Sequence, residues 1–184
     1  MLTKQALAKA TDIVARGGVI AYPTEGVYGL GCDPFNQLAV EKILTLKQRD
    51  VAQGLIIIAA DWQQVQALTL TIPTFKLEEI LQSRDQPVTW LFPASAVVPK
   101  WICGDFATVA LRITKHPPAR QLCEATGPLV STSANIHRQA SAKTAADVEQ
   151  IFAEKIDLIL DAPTGGLQKP TPIINVLDGT IIRH

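Results

Sequence analysis

The sequence predicts a layered α/β domain built on a mixed sheet, and three observations support this prediction. Short apolar runs typical of buried strands are interspersed with longer stretches of helical periodicity. Asp178-Gly179 separates two apolar segments near the C-terminus and predicts a hairpin, so at least one pair of strands is antiparallel. The length of 184 residues suits a single domain over 1–184.

Six segments are predicted as helices from the spacing of their apolar residues. Thr3 is a suitable N-cap for the first helix, which ends at about Arg16, before the Gly17-Gly18 pair. The helix that begins at Pro117 has proline in its first turn, where proline is tolerated. The remaining predicted helices, in chain order, are Gln37–Lys47, Trp62–Leu68, Pro73–Ser83 and Thr144–Phe152, and the proline-initiated one is Pro117–Ala125.

Apolar segments between these helices are predicted as strands. Val27–Cys32 is expected to be extended but irregular, because Gly29 and Gly31 interrupt it. The tail Ile173–Arg183 is predicted as the hairpin that turns at Asp178-Gly179. The other predicted strands are Val19–Tyr22, Leu55–Ala59, Val88–Phe92, Thr108–Ile113, Leu129–Thr132 and Leu158–Leu160.

The composition excludes several classes of protein. Hydrophobic residues make up 47% and charged residues 18% of the chain, which is typical of a folded core and not of a disordered chain. Lys plus Arg and Asp plus Glu both number 17, so net charge does not drive binding to nucleic acid, although a local basic patch stays open. Three scattered cysteines form no metal or redox motif and suit a cytoplasmic location. No apolar stretch of about 18 residues occurs, so no membrane segment is expected.

Polar residues follow several of the predicted strands, at the edge where open α/β sheets usually bind ligands. The first such group is the loop from Tyr22 to Gly31, where glycines allow the backbone to approach a ligand and Thr24 offers a hydroxyl. A tight turn that only connects two strands is the alternative. Gly29-x-Gly31 is not a dinucleotide fingerprint, because Pro34 stands at the position of the third glycine.

Two cations follow one another closely at the end of the predicted helix Gln37–Lys47. Lys47 and Arg49 could clamp a triphosphate, the lysine as a point charge and the arginine as a bidentate fork. The alternative is a solvated helix C-terminus, where cations interact favourably with the helix dipole.

Two further groups are suited to anions. The cluster Ser131-Thr132-Ser133-Ala134-Asn135 follows an apolar strand, and its hydroxyl, amide and backbone N–H groups could bind a phosphate or a carboxylate. It could equally be an ordinary polar turn. Arg112 lies within an apolar strand and suits a carboxylate ligand, unless it faces water on an edge strand.

Several common catalytic motifs are absent from the sequence. There is no Walker-type phosphate loop and no nucleophile elbow, and His116, His137 and His184 lack the spacing of metal ligands. The residues by themselves therefore predict an anion-binding α/β enzyme and no particular reaction.

Taken together, the motifs resemble those of the YrdC/TsaC family, in the same order and spacing, from about Leu7 to Arg183. The short chain resembles the single-domain branch of that family. The segments that carry the resemblance are Gly17–Glu25, Val27–Gly31, Lys47-Gln48-Arg49, Leu111-Arg112 and Ser131–Asn135.

The resemblance implies a twisted mixed sheet flanked by helices and a threonylcarbamoyl-AMP synthase activity. Such an enzyme would join L-threonine, bicarbonate and ATP, accompanied by Mg²⁺, and release pyrophosphate. Its product would pass to partner proteins that place threonylcarbamoyladenosine beside the anticodon of certain tRNAs.

The resemblance also implies roles for individual residues. Lys47 and Arg49 would hold the ATP phosphates and act in catalysis, with Ser133 and Asn135 on the nucleotide side. The threonine site would consist of Thr24, Arg112, Ser131 and Thr171, with Arg112 taking the carboxylate. Three stretches depart from the family pattern: Asp85-Gln86-Pro87, Ile136-His137-Arg138 and Pro170-Thr171-Pro172-Ile173.

Two other functions are compatible with the sequence. One is an RNA-binding or ribosome-maturation module, which would bind RNA with a basic concave face formed by Lys47, Arg49, Arg112, Arg138 and Lys143. The other is a carbamoyl-phosphate-handling module, like the similar domain within larger hydrogenase-maturation proteins.

Overall fold

Helices and strands alternate along the chain in the computed structural model, which describes residues 1–73, 77, 78, 80 and 87–183. The longer helices and the strands are, in chain order, α1 (Lys4–Ala15), β1 (Ile20–Pro23), β2 (Tyr28–Gly31), α2 (Gln37–Lys47), β3 (Ile56–Ala59), β4 (Thr89–Pro93), α3 (Lys100–Cys103), β5 (Thr108–Ile113), α4 (Pro117–Thr126), β6 (Leu129–Ser133), α5 (Ala145–Phe152), β7 (Leu158–Ile159), β8 (Ile173–Asn175) and β9 (Ile181–Arg183). Short 3₁₀ turns cover Val51–Gln53, Gln66–Leu68 and Ala153–Lys155.

The strands of the described residues form one nine-stranded mixed sheet in the order β7-β1-β2-β6-β3-β5-β4-β8-β9. The pairs β1–β7, β3–β5 and β4–β8 are parallel, and all other neighbours in this order are antiparallel. The central strand β3 has β5 on one side and β6 on the other. Its register places Ile58 beside Arg112 and Ile56 beside Ser131, so β3 brings these two polar residues to the same face of the sheet.

Helices cover both faces of the sheet, because successive side chains of each strand point in opposite directions. Helices α1 and α4 pack over a buried cluster that includes Tyr22 and Ile58. Helices α2 and α5 pack over a second cluster on the opposite face, which includes Ile57 and Leu111. The mixed α/β fold predicted from the sequence is therefore confirmed.

The helices begin where the sequence places suitable caps. The side chains of Thr3 and Asn36 accept hydrogen bonds from backbone N–H groups in the first turns of α1 and α2. Thr144 and Asp147 form a reciprocal capping box at the start of α5. Among the described residues, every helix is too short or too polar to cross a membrane.

Two sequence predictions differ from the structure. Trp62–Leu68 is not an α-helix: it ends as a 3₁₀ turn with a bond from Leu68 N–H to the Val65 carbonyl, because the chain then bonds to the end of β4, where Leu70 N–H donates to the Pro93 carbonyl. Val27–Cys32 is more regular than expected, since strand β2 pairs with β1 and β6. The helix α3 was not predicted.

Most of one predicted helix, Pro73–Ser83, lies outside the residues that the structure describes. Within this range the described residues 77, 78 and 80 are helical. Two residues of the departure Asp85-Gln86-Pro87 lie outside them as well. The hairpin predicted for Ile173–Arg183 is confirmed by the antiparallel pairing of β8 with β9 and by the positive φ of Gly179.

The buried hydroxyl of Tyr28 ties strand β2 to the segment that follows β7. It donates to the Ala162 carbonyl at 2.8 Å and accepts from the Ala162 N–H at 3.2 Å. Replacing Tyr28 with Phe leaves both backbone groups short of a partner, so we expect the free energy of unfolding to fall by about 1–3 kcal/mol. Denaturant unfolding measures this loss.

Tyr22→Phe is the matched control, because Tyr22 is equally buried but its hydroxyl contacts one backbone group, the Val130 carbonyl at 3.2 Å, besides the Ser131 side chain. Equal losses in the two variants would contradict the role assigned to Tyr28.

Candidate active site

A cavity of about 500 Å³ opens on the sheet face that carries α1 and α4, in a region that neither helix lines. It is bounded by the loop after β1, by parts of β5 and β6, by the 3₁₀ turn at Val51–Gln53, and by the loop before β8. Six of the residues predicted for the site line it: Thr24, Arg49, Arg112, Ser131, Ser133 and Thr171. Lys47 and Asn135 do not.

The cavity concentrates positive charge in a chain whose formal net charge is zero. Four cations line it, Arg49, Arg112, Lys169 and Arg183, whereas Glu25 is the one carboxylate among the described lining residues. Partial burial, followed by the charges of Arg112 and Arg49, lowers the pKa of Arg183, the direction expected for a cation near other cations. The arrangement favours an anionic ligand.

Arg112 lies deep in the sheet and is 7% exposed. Its strand β5 pairs with β3 and β4, so the alternative of an edge-strand arginine that faces water is wrong. Its Nη1 donates to the Thr171 hydroxyl at 2.9 Å, and its Nη2 lies 3.5 Å from the Ser131 hydroxyl. Its buried Nε has no hydrogen-bond partner, and buried donors of this kind are costly to leave unpaired.

Glu25 is the counter-ion of Arg112. Its Oε2 lies 3.6 Å from Nη2 of Arg112, and its Oε1 accepts a hydrogen bond of 2.7 Å from the Thr114 hydroxyl. Burial acts to raise the pKa of Glu25, but the Arg112 guanidinium and the Thr114 hydroxyl outweigh it, so the pKa lies below its usual value. Glu25 is therefore a carboxylate at neutral pH.

Thr24, Gly29 and Ser131 come together at one end of the cavity. The Thr24 hydroxyl donates to the Val27 carbonyl at 2.7 Å, which fixes the loop after β1. A Cβ atom at Gly29 would lie 3.1 Å from Thr24 Cγ2 and 3.6 Å from the Ser131 hydroxyl. The glycine thus leaves room beside the Thr24 methyl group and the Ser131 hydroxyl.

Arg49 enters the cavity because the chain reverses just before it. Gln48 caps α2 in the left-handed conformation at φ +52°, which turns Arg49 away from the helix axis. Its Nη2 donates to the Gly54 carbonyl at 2.9 Å, and its buried Nε has no hydrogen-bond partner. Burial lowers the pKa of Arg49.

Lys47 supports the polar turn after β6 from below. Its Nζ donates to the backbone carbonyls of Ser133 and Asn135 and to Asn135 Oδ1, so its three N–H groups are all used. Asn135 Oδ1 also accepts from the Ser133 hydroxyl at 2.7 Å. Lys47 is 4% exposed, so the alternative of a solvated helix end is wrong for this residue.

Several residues of the site were not predicted from the sequence. Arg183 and Lys169 line the cavity, and Thr114 and His116 lie behind Glu25. Arg183 donates to the Thr171 carbonyl at 2.8 Å. The one signal available in the sequence was that the polar Thr114 and the nearby His116 directly follow the strand that contains Arg112.

The basic face proposed for RNA binding does not exist as one accessible surface. Lys47 and Arg112 are buried, whereas Arg138 and Lys143 are exposed. Only part of that residue set could contact a nucleic-acid backbone.

Comparisons with known proteins show which family the chain is similar to. The model of the Sua5/YciO/YrdC family, described as telomere recombination, matches residues 12–184. A threonylcarbamoyl-AMP synthase of Coxiella burnetii is 44% identical over 180 residues, 97% of each chain. One of Pseudomonas aeruginosa is 44% identical over 174 residues, which cover 95% of this chain and 94% of that protein.

A solved structure gives the same result. The crystal structure of P. abyssi Sua5 complexed with L-threonine matches with a TM-score of 0.85 and 32% identity. The match covers 92% of this chain and 50% of the Sua5 chain, so this protein spans about half the length of that relative. The chain belongs to the Sua5/YciO/YrdC family, and the family membership predicted from its motifs is confirmed.

The burial of Lys47 predicts a pH-dependent contribution to stability. Burial, followed by the charge of Arg49, lowers the pKa of Lys47 from 10.5 to about 8. Between these values the unfolded chain binds more protons than the folded protein, so stability rises with pH. We therefore expect the unfolding free energy of the wild type, relative to Lys47→Met, to increase as the pH rises from about 8 toward 10.5.

Denaturant unfolding at several pH values measures this difference. The Met variant removes the titrating group at similar length and cancels the contribution of all other groups. A difference that stays constant or falls over this range would show that Lys47 keeps its proton in the fold.

Proposed function

We propose that this protein is a threonylcarbamoyl-AMP synthase that condenses L-threonine, bicarbonate or CO₂, and ATP, and releases pyrophosphate. The observation that carries the proposal is the cavity in which buried Arg112 and partly buried Arg49 each have an unpaired Nε donor. Family membership and the names of the relatives support the same activity.

The threonine end of the cavity would be formed by Thr24, Arg112, Ser131 and Thr171. Arg112 is suited to the carboxylate of the amino acid, because a guanidinium binds a carboxylate through two parallel N–H groups. Thr24, Ser131 and Thr171 also line the cavity, and their hydroxyls could bind the polar groups of threonine. The Sua5 relative that was solved with L-threonine supports this choice of substrate.

The ATP end would be formed by Lys47, Arg49, Ser133 and Asn135. Arg49 and Ser133 line the cavity and would contact the phosphates directly. Lys47 and Asn135 fix the turn that presents Ser133, and the charge of Lys47 lies just behind it.

The reaction itself asks little covalent chemistry of the protein. The amine of threonine adds to CO₂ to form a carbamate, and a carbamate oxygen attacks the α-phosphorus while pyrophosphate leaves. Both reactants are anions that repel each other, so the rate depends on positioning and on charge neutralisation. The four cations of the cavity supply that neutralisation, and no protein nucleophile is needed.

Mg²⁺ would enter as part of the nucleotide substrate. The described residues contain no cluster of three His, Cys, Asp or Glu side chains that could hold a metal ion. The carboxylate of Glu25 is engaged by Arg112 and Thr114. Phosphate oxygens and water are the ligands that magnesium prefers in such sites.

We propose further that residues 1–184 act as one domain and that the product passes to tRNA-modifying partner proteins in the cytoplasm. The single sheet supports the first point, and the three free cysteines are compatible with the reducing compartment. If tRNA binds directly, the exposed Arg138 and Lys143 could contact its phosphates.

Pyrophosphate release from Mg–ATP tests the function directly. We expect release by the purified protein only when L-threonine and bicarbonate are both present. Release that is independent of threonine, or none under any combination, would refute the proposal. In that case, tRNA affinity as a function of salt would test the RNA-binding alternative.

Arg49→Ala and Lys47→Ala should each slow turnover by ~100-fold or more, as is typical when a charge-stabilising group is removed. Steady-state pyrophosphate release measures the loss. The matched control is Arg120→Ala, because Arg120 forms an exposed ion pair with Glu124 on α4, away from the cavity. Near-normal turnover in both the Arg49 and the Lys47 variant would mean that the ATP phosphates bind elsewhere.

A further inference from the structure

We infer that Glu25 is a positioning residue that couples the loop 163–171 to the guanidinium of Arg112 and so holds the threonine end of the cavity in place. The inference rests on the function proposed above for its kinetic consequence, but the coupling itself is a property of the fold. Glu25 lines the cavity, but none of the contacts proposed above for threonine or ATP involves it.

The first link runs through the backbone. The carbonyls of Thr24 and Glu25 accept hydrogen bonds from Gly165 N–H at 3.0 Å and Leu167 N–H at 2.9 Å. A Cβ atom at Gly165 would lie 2.8 Å from the Glu25 carbonyl oxygen, and one at Gly26 would lie 2.8 Å from the Leu167 carbonyl oxygen. The two glycines therefore allow the loop to lie directly against Glu25.

The second link runs through side chains to the beginning of the same loop. Glu25 Oε1 accepts a hydrogen bond from the Thr114 hydroxyl at 2.7 Å. The same hydroxyl oxygen accepts from the backbone N–H of His116 at 3.3 Å. Nε2 of His116 lies 3.1 Å from the Pro163 carbonyl oxygen, at hydrogen-bond distance. The chain from Pro163 to Leu167 completes a ring, because the Leu167 N–H donates to the Glu25 carbonyl.

The third link joins the ring to the far end of the loop through Arg112. Glu25 Oε2 lies 3.6 Å from Nη2 of Arg112, and Nη1 of Arg112 donates to the Thr171 hydroxyl at 2.9 Å. One carboxylate thus acts on both ends of a loop whose residues 167–171 line the cavity.

The burial of this ion pair makes the coupling strong. The side chains of Arg112 and Glu25 are 8% and 9% exposed, so little solvent replaces the partner when one charge is removed. An arginine that loses its buried counter-ion changes orientation or draws in water. Either change would move the group that receives the carboxylate of threonine.

Glu25→Gln tests the coupling, because glutamine keeps the acceptor for Thr114 and removes the charge that faces Arg112. Thr114→Val tests the ring in a second way, since it keeps the charge of Glu25 and removes the hydroxyl. Glu124→Gln is the control: it removes a carboxylate from an exposed ion pair with Arg120, far from the cavity.

Amide hydrogen exchange on the protein alone is the first readout. We expect the amides of Gly165 and Leu167 to exchange ~10-fold faster or more in Glu25→Gln and Thr114→Val, because local opening of the loop becomes easier. The Glu124→Gln variant should exchange at these positions like the wild type.

Steady-state kinetics is the second readout. We expect the KM for threonine to rise by ~10-fold or more in Glu25→Gln, the range lost when a hydrogen bond to a charged group is weakened, with the KM for ATP nearly unchanged. A partial loss of folding would instead lower the apparent kcat and leave both KM values unchanged.

Unchanged exchange at Gly165 and Leu167, or a parallel rise of both KM values, would overturn the inference. If Glu25→Gln does not fold, Thr114→Val decides by the same two readouts. A wild type without threonine-dependent pyrophosphate release would refute the proposed function, whereas the exchange result would still decide the coupling.

Discussion

The burial of one guanidinium in the middle of the sheet determines how the cavity is built. Arg112 lies in a strand whose two neighbours are also strands, so water cannot solvate it from an edge. A charge in that position needs partners of its own. The structure supplies a carboxylate from the loop after β1, a hydroxyl from β6 and a hydroxyl from the segment before β8. Three parts of the chain far apart in sequence are thereby brought to one place.

Much of this could be predicted because it depends on local rules. The helix Gln37–Lys47 agrees with its predicted bounds, since an apolar face and an asparagine cap are both visible in the sequence. Arg112 was visible as a single charge in an apolar strand. Trp62–Leu68 was wrong because seven residues do not distinguish an α-helix from a 3₁₀ turn when both bury Val65 and Leu68. Lys169 and Arg183 were missed because only the pairing of β4 with β8, and of β8 with β9, brings them to the cavity.

Lys47 and Arg49 show most clearly what could not be predicted from the sequence. In the sequence they form one pair of cations with a common expected role. In the structure a left-handed Gln48 separates them, so that Arg49 lines the cavity while Lys47 uses its three N–H groups on the turn at Ser133 and Asn135. Both residues of the pair could be predicted from the sequence. Their different positions could not, because they depend on the left-handed conformation of Gln48, which a glutamine rarely adopts.

The position of the hairpin formed by β8 and β9 has a consequence for the order in which the protein folds. Strands β8 and β9 follow the other strands of the sheet along the sequence, yet Thr171 and Arg183 line the cavity and Thr171 contacts Arg112. Pairings between residues distant in sequence form late, since their loop-closure entropy must first be overcome. A chain in which this hairpin has not yet docked therefore exposes the edge of β4 and lacks the hydroxyl that Arg112 contacts. The cavity can become complete only when β8 has paired with β4.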